Sequence, residues 1–337
     1  MLSIPMFRNL SRNNSGLRRS FALGLICAGV LSVGCGPAPS TDAESAPTTT
    51  ASSAGETESD PAAATTEDAT LEVMPFYAGE TGLFVNSTLI HGETEAILVD
   101  AQYGRSDAEA LVQWLQESGK TLTAIWITHA HPDHYFGTTV LKETFPDVPV
   151  YASPEVAATI EELNDIFIAN VPKLIGPEEA LTDPIVPTAY TDETLELEGE
   201  SIELLKLPHG DTTNMTALYI PSTGTIVAGD LVYDQVHLFM NENPTPDLQQ
   251  QWLESLDRLE ALNPTQIIPG HQSPDLAGSD GLAAIDFTRD YLEAFASATG
   301  LPTSEAATEA LLEAFPEAKL PFLAGLGVSV AYGEGGF

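Results

Sequence analysis

Residues 124–134 read AIWITHAHPDH: four apolar residues, Ala124, Ile125, Trp126 and Ile127, run into His129, His131, Asp133 and His134. The apolar run has the length and side-chain content of a buried strand. In an extended backbone, residues two apart point the same way, so His129 and His131 can share one ion. Pro132 keeps His131 extended, because the residue before a proline avoids the helical region. Asp133 and His134 then stand where the chain turns into the next helix, facing a second position. One turn thus presents two adjacent ligand sets, a pattern far more specific than a lone histidine.

Working outward, the chain alternates strands with helices. Strands are predicted at 88–90 and 96–99, 124–127, 148–151, 195–197, 202–207, 215–220, 226–228 and 266–268. Helices are predicted at 107–117, where Ala110, Leu111, Trp114 and Leu115 share a face before Gly119, and at 137–145, 155–168 and 248–262. Residues 170–188 carry prolines and no clear period. The order of elements predicts a layered α/β protein with its sheets covered by helices.

Three further signals follow strands in turn: Pro208-His209-Gly210-Asp211, Gly229-Asp230 and Pro269-Gly270-His271. Five of the seven histidines fall within these motifs and the first, which leaves only His91 and His237 outside. Over residues 76–271 the chain resembles the metallo-β-lactamase-fold metallohydrolases, in particular their lactonases and glyoxalase II-like members. The resemblance implies a four-layer αββα sandwich, here with C-terminal helices. It also implies two zinc ions, with iron or manganese as other possible metals. His129, His131 and His209 would hold the first ion and Asp133, His134 and His271 the second, with Asp230 bridging. Asp211 is read as a loop-capping residue, since His209 already fills the position and the aspartate follows glycine in a turn. Asp100, after the strand at 96–99, resembles a structural aspartate that orients a ligand. Tyr233, three residues after Asp230, stands where the family's acyl-homoserine lactonases place a tyrosine beside the substrate carbonyl; packing is the alternative.

That ligand set implies hydrolysis: a water shared by two metals has its pKa lowered from 15.7 towards about 7 and attacks a carbonyl. Tyr233 would donate to the developing oxyanion, and Asp133 counts among the catalytic residues. Aspartate at 230 favours a lactone or thioester over a β-lactam, because the β-lactamases of this fold mostly carry cysteine or serine there. β-Lactamase activity, iron-dependent oxidoreduction on the same ligands, and a catalytically idle binding lipoprotein are the alternatives. Two segments are expected to rim the cleft. One is 160–186, with its many aliphatics acting as a lid or contacting substrate unless it packs as an ordinary core helix. The other is the C-terminal extension, 281–337.

Composition bounds the partners. With 12 Lys+Arg against 49 Asp+Glu, a net charge of −37 leaves few cations to cluster on a phosphate backbone, so a small-molecule substrate is expected and a nucleic acid is not. At the front, Arg8, Arg12, Arg18 and Arg19 precede the apolar run FALGLICAGVLSV at 21–33, too short to span a bilayer but suited to a signal peptide. Gly34-Cys35 after it resembles a bacterial lipoprotein signal, with Ser32 in place of the usual large aliphatic residue. An ordinary signal cut nearby is the alternative, and Arg18-Arg19-Ser20-Phe21 looks like a twin-arginine signal. Residues 1–35 are therefore read as the signal, 36–70 as a disordered acidic Ser/Thr/Ala/Pro tether, and 71–337 as the hydrolase domain, lipid-anchored at Cys35 to the bacterial cell envelope and facing the periplasm or the exterior. The two cysteines, Cys27 and Cys35, both precede the domain, so a metal there must use His, Asp or Glu.

Overall fold

Two sheets, stacked face to face and covered by helices, form the α/β architecture of the computed structural model, which describes residues 71–335. The expected signal, Cys35 and the expected tether lie outside the described residues. The first sheet has the order β1-β2-β3-β4-β5-β6, from β1 (Glu72–Tyr77), β2 (Asn86–His91), β3 (Glu95–Val99), β4 (Thr121–Trp126), β5 (Val150–Ala152) and β6 (Thr188–Ala189). β1 to β3 pair antiparallel and β3 to β6 parallel. The second has the order β11-β10-β9-β8-β7, from β7 (Thr194–Leu197), β8 (Glu200–His209), β9 (Thr213–Ile220), β10 (Thr225–Asp234) and β11 (Gln266–Gln272); only the β10–β11 pair is parallel.

Alternation along each strand explains the layering. Ile90, Ile97 and Trp126 point inward and meet Leu204, Leu218, Val227 and Ile268 of the second sheet. Their neighbours Leu89, Leu98 and Ile125 point outward under α1 (Arg105–Ser118), α3 (Thr138–Thr144) and α4 (Pro154–Leu174). With both faces buried, these strands read as continuous apolar runs. On the far side, Ala217, Ile226 and Ile267 pack under Trp252 and Leu256 of α5 (Pro246–Glu260) and Tyr291 and Phe295 of α6 (Leu282–Ala298). α7 (Ser304–Ala314) and α8 (Phe322–Ala331) complete that layer. The short α2 (Pro132–Tyr135) starts at the quoted histidine turn, with Pro132 in its first turn. Among the described residues no helix is long and apolar enough to cross a membrane.

Some elements differ from the expectation. β1 contains Pro75 and escaped the reading; it is an edge strand, where the missing N–H costs no ladder bond. α4 runs beyond 168 to Leu174 through Pro172, which forgoes the N–H bond to the Ile168 carbonyl two residues before the helix ends. Within 160–186, Ile160, Val171 and Leu181 are buried and Phe167, Ile168, Ile175 and Ile185 pack partly on the first sheet's core, so core packing accounts for most of its aliphatics. Ile166 (55% exposed) and Leu174 (59%) face outward. β10 continues past 228 to Asp234, with register shifts on either side of Gly229, so Asp230 lies inside a bulged strand and not after it. Residues 282–331 cover the second sheet, and Thr288 of α6 accepts from the Tyr233 N–H and donates to its carbonyl.

Candidate metal centre

The ends of β4, β8, β10 and β11 carry their polar residues to one place. Two groups of potential ligand atoms form there: His129, His131, Asp211 and Asp230, and Asp133, His134 and His271, every member buried. Asp230 joins them, with its Oδ1 3.1 Å from His134 Nε2 and its Oδ2 3.0 Å from His271 Nε2 and 3.7 Å from His129 Nε2. Asp133 Oδ2 stands 3.5 Å from His271 Nε2 and 3.8 Å from His134 Nε2. His131 Nδ1 lies 2.9 Å from Asp211 Oδ2.

The outer partners of the four rings fix which nitrogen carries the proton. Asp100 Oδ2 accepts from Thr128 Oγ1 at 2.8 Å and from His134 Nδ1 at 2.8 Å, while its Oδ1 accepts from the Thr128 N–H. Because the Thr128 hydroxyl proton is given to Asp100, Thr128 Oγ1 can only accept from His129 Nδ1, 2.9 Å away. His271 Nδ1 donates to the Leu83 carbonyl at 2.7 Å, and His131 Nε2 donates to Glu242 at 3.1 Å. In each ring one nitrogen is thus held by the protein, and the lone pair of the other turns inward.

Lone pairs aimed at carboxylate oxygens repel unless a cation lies between them. His129 Nε2, His134 Nε2, Asp211 Oδ1 and Asp230 Oδ1 are buried with no hydrogen-bond partner, as is His209 Nδ1, which lies outside the cluster. Donors about 2.0 to 2.1 Å from a tetrahedral ion are about 3.3 Å from one another, close to the separations above. On both counts the residues fit divalent cations. In the protein alone, burial pulls His129 well below the usual imidazole range, whereas at His131, His134 and His271 burial is outweighed by the neighbouring carboxylates, which raise the rings above it. Burial pushes the Asp211 carboxyl up to about 7 against the attraction of His131. Burial also penalises the Asp230 charge, but His134, His271 and His129 outweigh it and hold that carboxyl well below its ordinary value.

Of the seven residues assigned as ligands by resemblance, the structure brings six together and leaves out His209. That residue ends β8, and its Nε2 is held at 2.7 Å by Asn243 Oδ1. Two residues on, Asp211, read as a loop cap, presents its carboxylate to His131 instead. The Asn243 amide fixes this turn by donating to the Gly210 and Asp211 carbonyls, and Glu242 accepts from Thr212 Oγ1 at 2.7 Å as well as from His131. Glu242 and Asn243, in the loop before α5, carried no sequence signal. For Asp211 the signal was its spacing: it follows His209 by two residues, but residue type decided the assignment.

Tyr233 is fully buried, stacked on His271 at 4.9 Å between ring centres. Its hydroxyl donates to Asp230 Oδ2 at 2.7 Å and lies 3.2 Å from Asp211 Oδ2. Its single proton is therefore engaged by the carboxylates. Gly270 lets Asp230 approach: a Cβ there would fall 1.9 Å from Asp230 Oδ1. Of the two histidines left out of the motifs, His237 meets Tyr291, 3.0 Å away, and His91 ends β2 beside Met74.

A family model described as the metallo-beta-lactamase superfamily matches residues 81–271. The hydroxyacylglutathione hydrolase of Chromohalobacter salexigens is 25% identical over 168 residues, 49% of this chain and 54% of that protein. That of Thermosynechococcus vestitus is 30% identical over 128 residues, 38% and 42% of the two chains. The uncharacterized protein YobT of Bacillus subtilis is 31% identical over 153 residues, 43% and 61%. The chain spans about half the length of the curated relatives it matches. Among solved structures, a metallo-beta-lactamase family protein from Thermus thermophilus shares the fold, with a TM-score of 0.52 and 24% identity over 78% of this chain and 94% of that one.

Proposed function

The chain belongs to the metallo-beta-lactamase superfamily, and from that premise we propose that it is a two-metal hydrolase, with zinc at the half-site of Asp133, His134 and His271, that cleaves an ester-type carbonyl substrate, a thioester or lactone before a β-lactam. The observation that carries the reading is the convergence of three inward ring nitrogens on the Asp230 carboxylate, with a fourth, of His131, on Asp211 beside it. Aspartate at 230, and relatives named hydroxyacylglutathione hydrolases, support the thioester or lactone choice. A cation pair, when bound, supplies Lewis acidity toward a carbonyl oxygen and acidifies a water.

The chain's own residues do the positioning. Asp100 and Thr128 fix the His134 and His129 tautomers, Leu83 fixes His271, and Glu242 fixes His131. Tyr233 anchors the Asp230 carboxylate, so a substrate meets a site organised before it arrives. The test is a panel of thioesters, lactones and cephalosporins offered to the metal-loaded full chain. Turnover of a thioester or lactone above the cephalosporins is expected; turnover of cephalosporins alone, or of nothing in the panel, would overturn the assignment.

We also propose export and lipid anchoring at Cys35, supported by the 21–33 apolar run, Gly34-Cys35 and the acidic tether. A Cys35→Ala version is expected to be exported but soluble, and a native protein that already fractionates as soluble would refute the anchor.

A further inference from the structure

Asp211 gives the first half of the site an unexpected composition. It is fully buried, its Oδ2 lies 2.9 Å from His131 Nδ1, and its Oδ1 has no hydrogen-bond partner. His129, His131 and Asp211 therefore face Asp230 from one side as Asp133, His134 and His271 do from the other. Each half offers two imidazole nitrogens and one carboxylate of its own, and Asp230 adds a carboxylate between them. The two halves are chemically alike, whereas three histidines on one side would make them different.

We propose that Asp211, and not His209, is a ligand of the first half-site, and that it shifts this half-site's preference from zinc toward manganese(II) or iron(II). The inference rests on the two-cation reading above. Two arguments support the shift. Replacing imidazole by carboxylate hardens the donor set, and two-histidine, carboxylate-rich sets with open positions suit iron(II) and manganese(II), while additional imidazole suits zinc. The change also brings a third carboxylate, beside Asp133 and Asp230, into a buried pocket whose two cations would carry four positive charges. Glu242 acts from outside in a different way: it accepts from the far nitrogen of His131 and so orients the ring and its facing Nδ1 toward either metal. His209 is retained for a different task, with its Nε2 tied to Asn243, which in turn holds the Gly210 and Asp211 carbonyls.

The test reads metal content, not rate. The full chain is stripped with a chelator and dialysed against zinc with excess manganese; both elements are then counted per chain, and bound manganese is followed by its paramagnetic resonance spectrum. The wild type is expected to take two ions with manganese among them. Asp211→His is expected to cut the manganese-to-zinc ratio by about tenfold or more, the scale on which even an outer partner of a ligand acts. Asp211→Asn, of the same size and therefore decisive should the histidine variant fail to fold, is expected to lose one ion, and His209→Ala to keep both. If the wild type binds two ions, but both Asp211 variants keep its content and ratio while His209→Ala loses an ion, the inference is overturned and the two-cation reading stands. A wild type that binds none removes that reading, and the inference with it.

Discussion

Asp100→Asn isolates the outer network from the ligands themselves. Asp100 sits at φ +61, a left-handed conformation that Asn tolerates as well as Asp, so the backbone is undisturbed. If the amide oxygen keeps the Thr128 N–H, the new NH₂ faces Thr128 Oγ1 and His134 Nδ1, both of which were donors. His134 must then move its proton to Nε2, and Thr128 must turn its hydroxyl proton toward His129 Nδ1, which moves the His129 proton to Nε2 as well. One atom exchange thus removes an inward lone pair from each half of the site. Loss of an outer partner costs metal affinity about 10- to 100-fold, or about 1.4 to 2.8 kcal/mol, and here that applies to each half. Competition with a chromophoric chelator measures the affinity, and nitrogen NMR of the imidazoles reads the tautomers. Unchanged affinity with unchanged tautomers would refute the relay.

Gly270→Ala should abolish metal binding and lower the melting temperature, because the new methyl would fall 1.9 Å from Asp230 Oδ1 and 2.6 Å from the Gly229 carbonyl carbon; overpacking of this kind costs on the order of 3 kcal/mol, and wild-type metal content in the variant would contradict it. Tyr233→Phe keeps the stacking on His271 but frees Asp230, so metal affinity and rate should fall together; a fall in kcat with metal affinity intact would instead place the hydroxyl on the substrate oxyanion. Burial lowers His237 from 6.5 to about 4, so the unfolded chain takes up a proton that the folded one resists, and stability is lost as pH falls from about 6.5 towards 4. His237→Gln should therefore lose less melting temperature than the wild type between pH 7 and pH 4.5, and identical curves would remove this contribution.

The fold was legible where period and chemistry coincided. The 124–127 run and the 107–117 helix name their own neighbours, since the residues that alternate or recur at helical spacing are those the sheets bury. Pro75 hid an edge strand, because composition cannot tell an edge from a loop, and Pro172 masked the last turn of α4. At the site, His129, His131, Asp133 and His134 were legible because they are contiguous and shaped by one strand and one proline. Asp211 was not: which of two residues at same-face spacing reaches the cluster depends on Asn243 and Glu242, about thirty residues away in sequence. The same holds for the Leu83 carbonyl that orients His271, 188 residues apart.

The measurement that bears most directly on the account is elemental analysis of the purified chain beside His131→Ala, with hydrolysis of a thioester followed on the same samples. His131 meets Asp211 through one nitrogen and Glu242 through the other, so its removal opens the first half-site from both sides. Close to two metal ions per wild-type chain are expected, with metal content and hydrolysis falling together in the variant. An unchanged metal content in His131→Ala would contradict this.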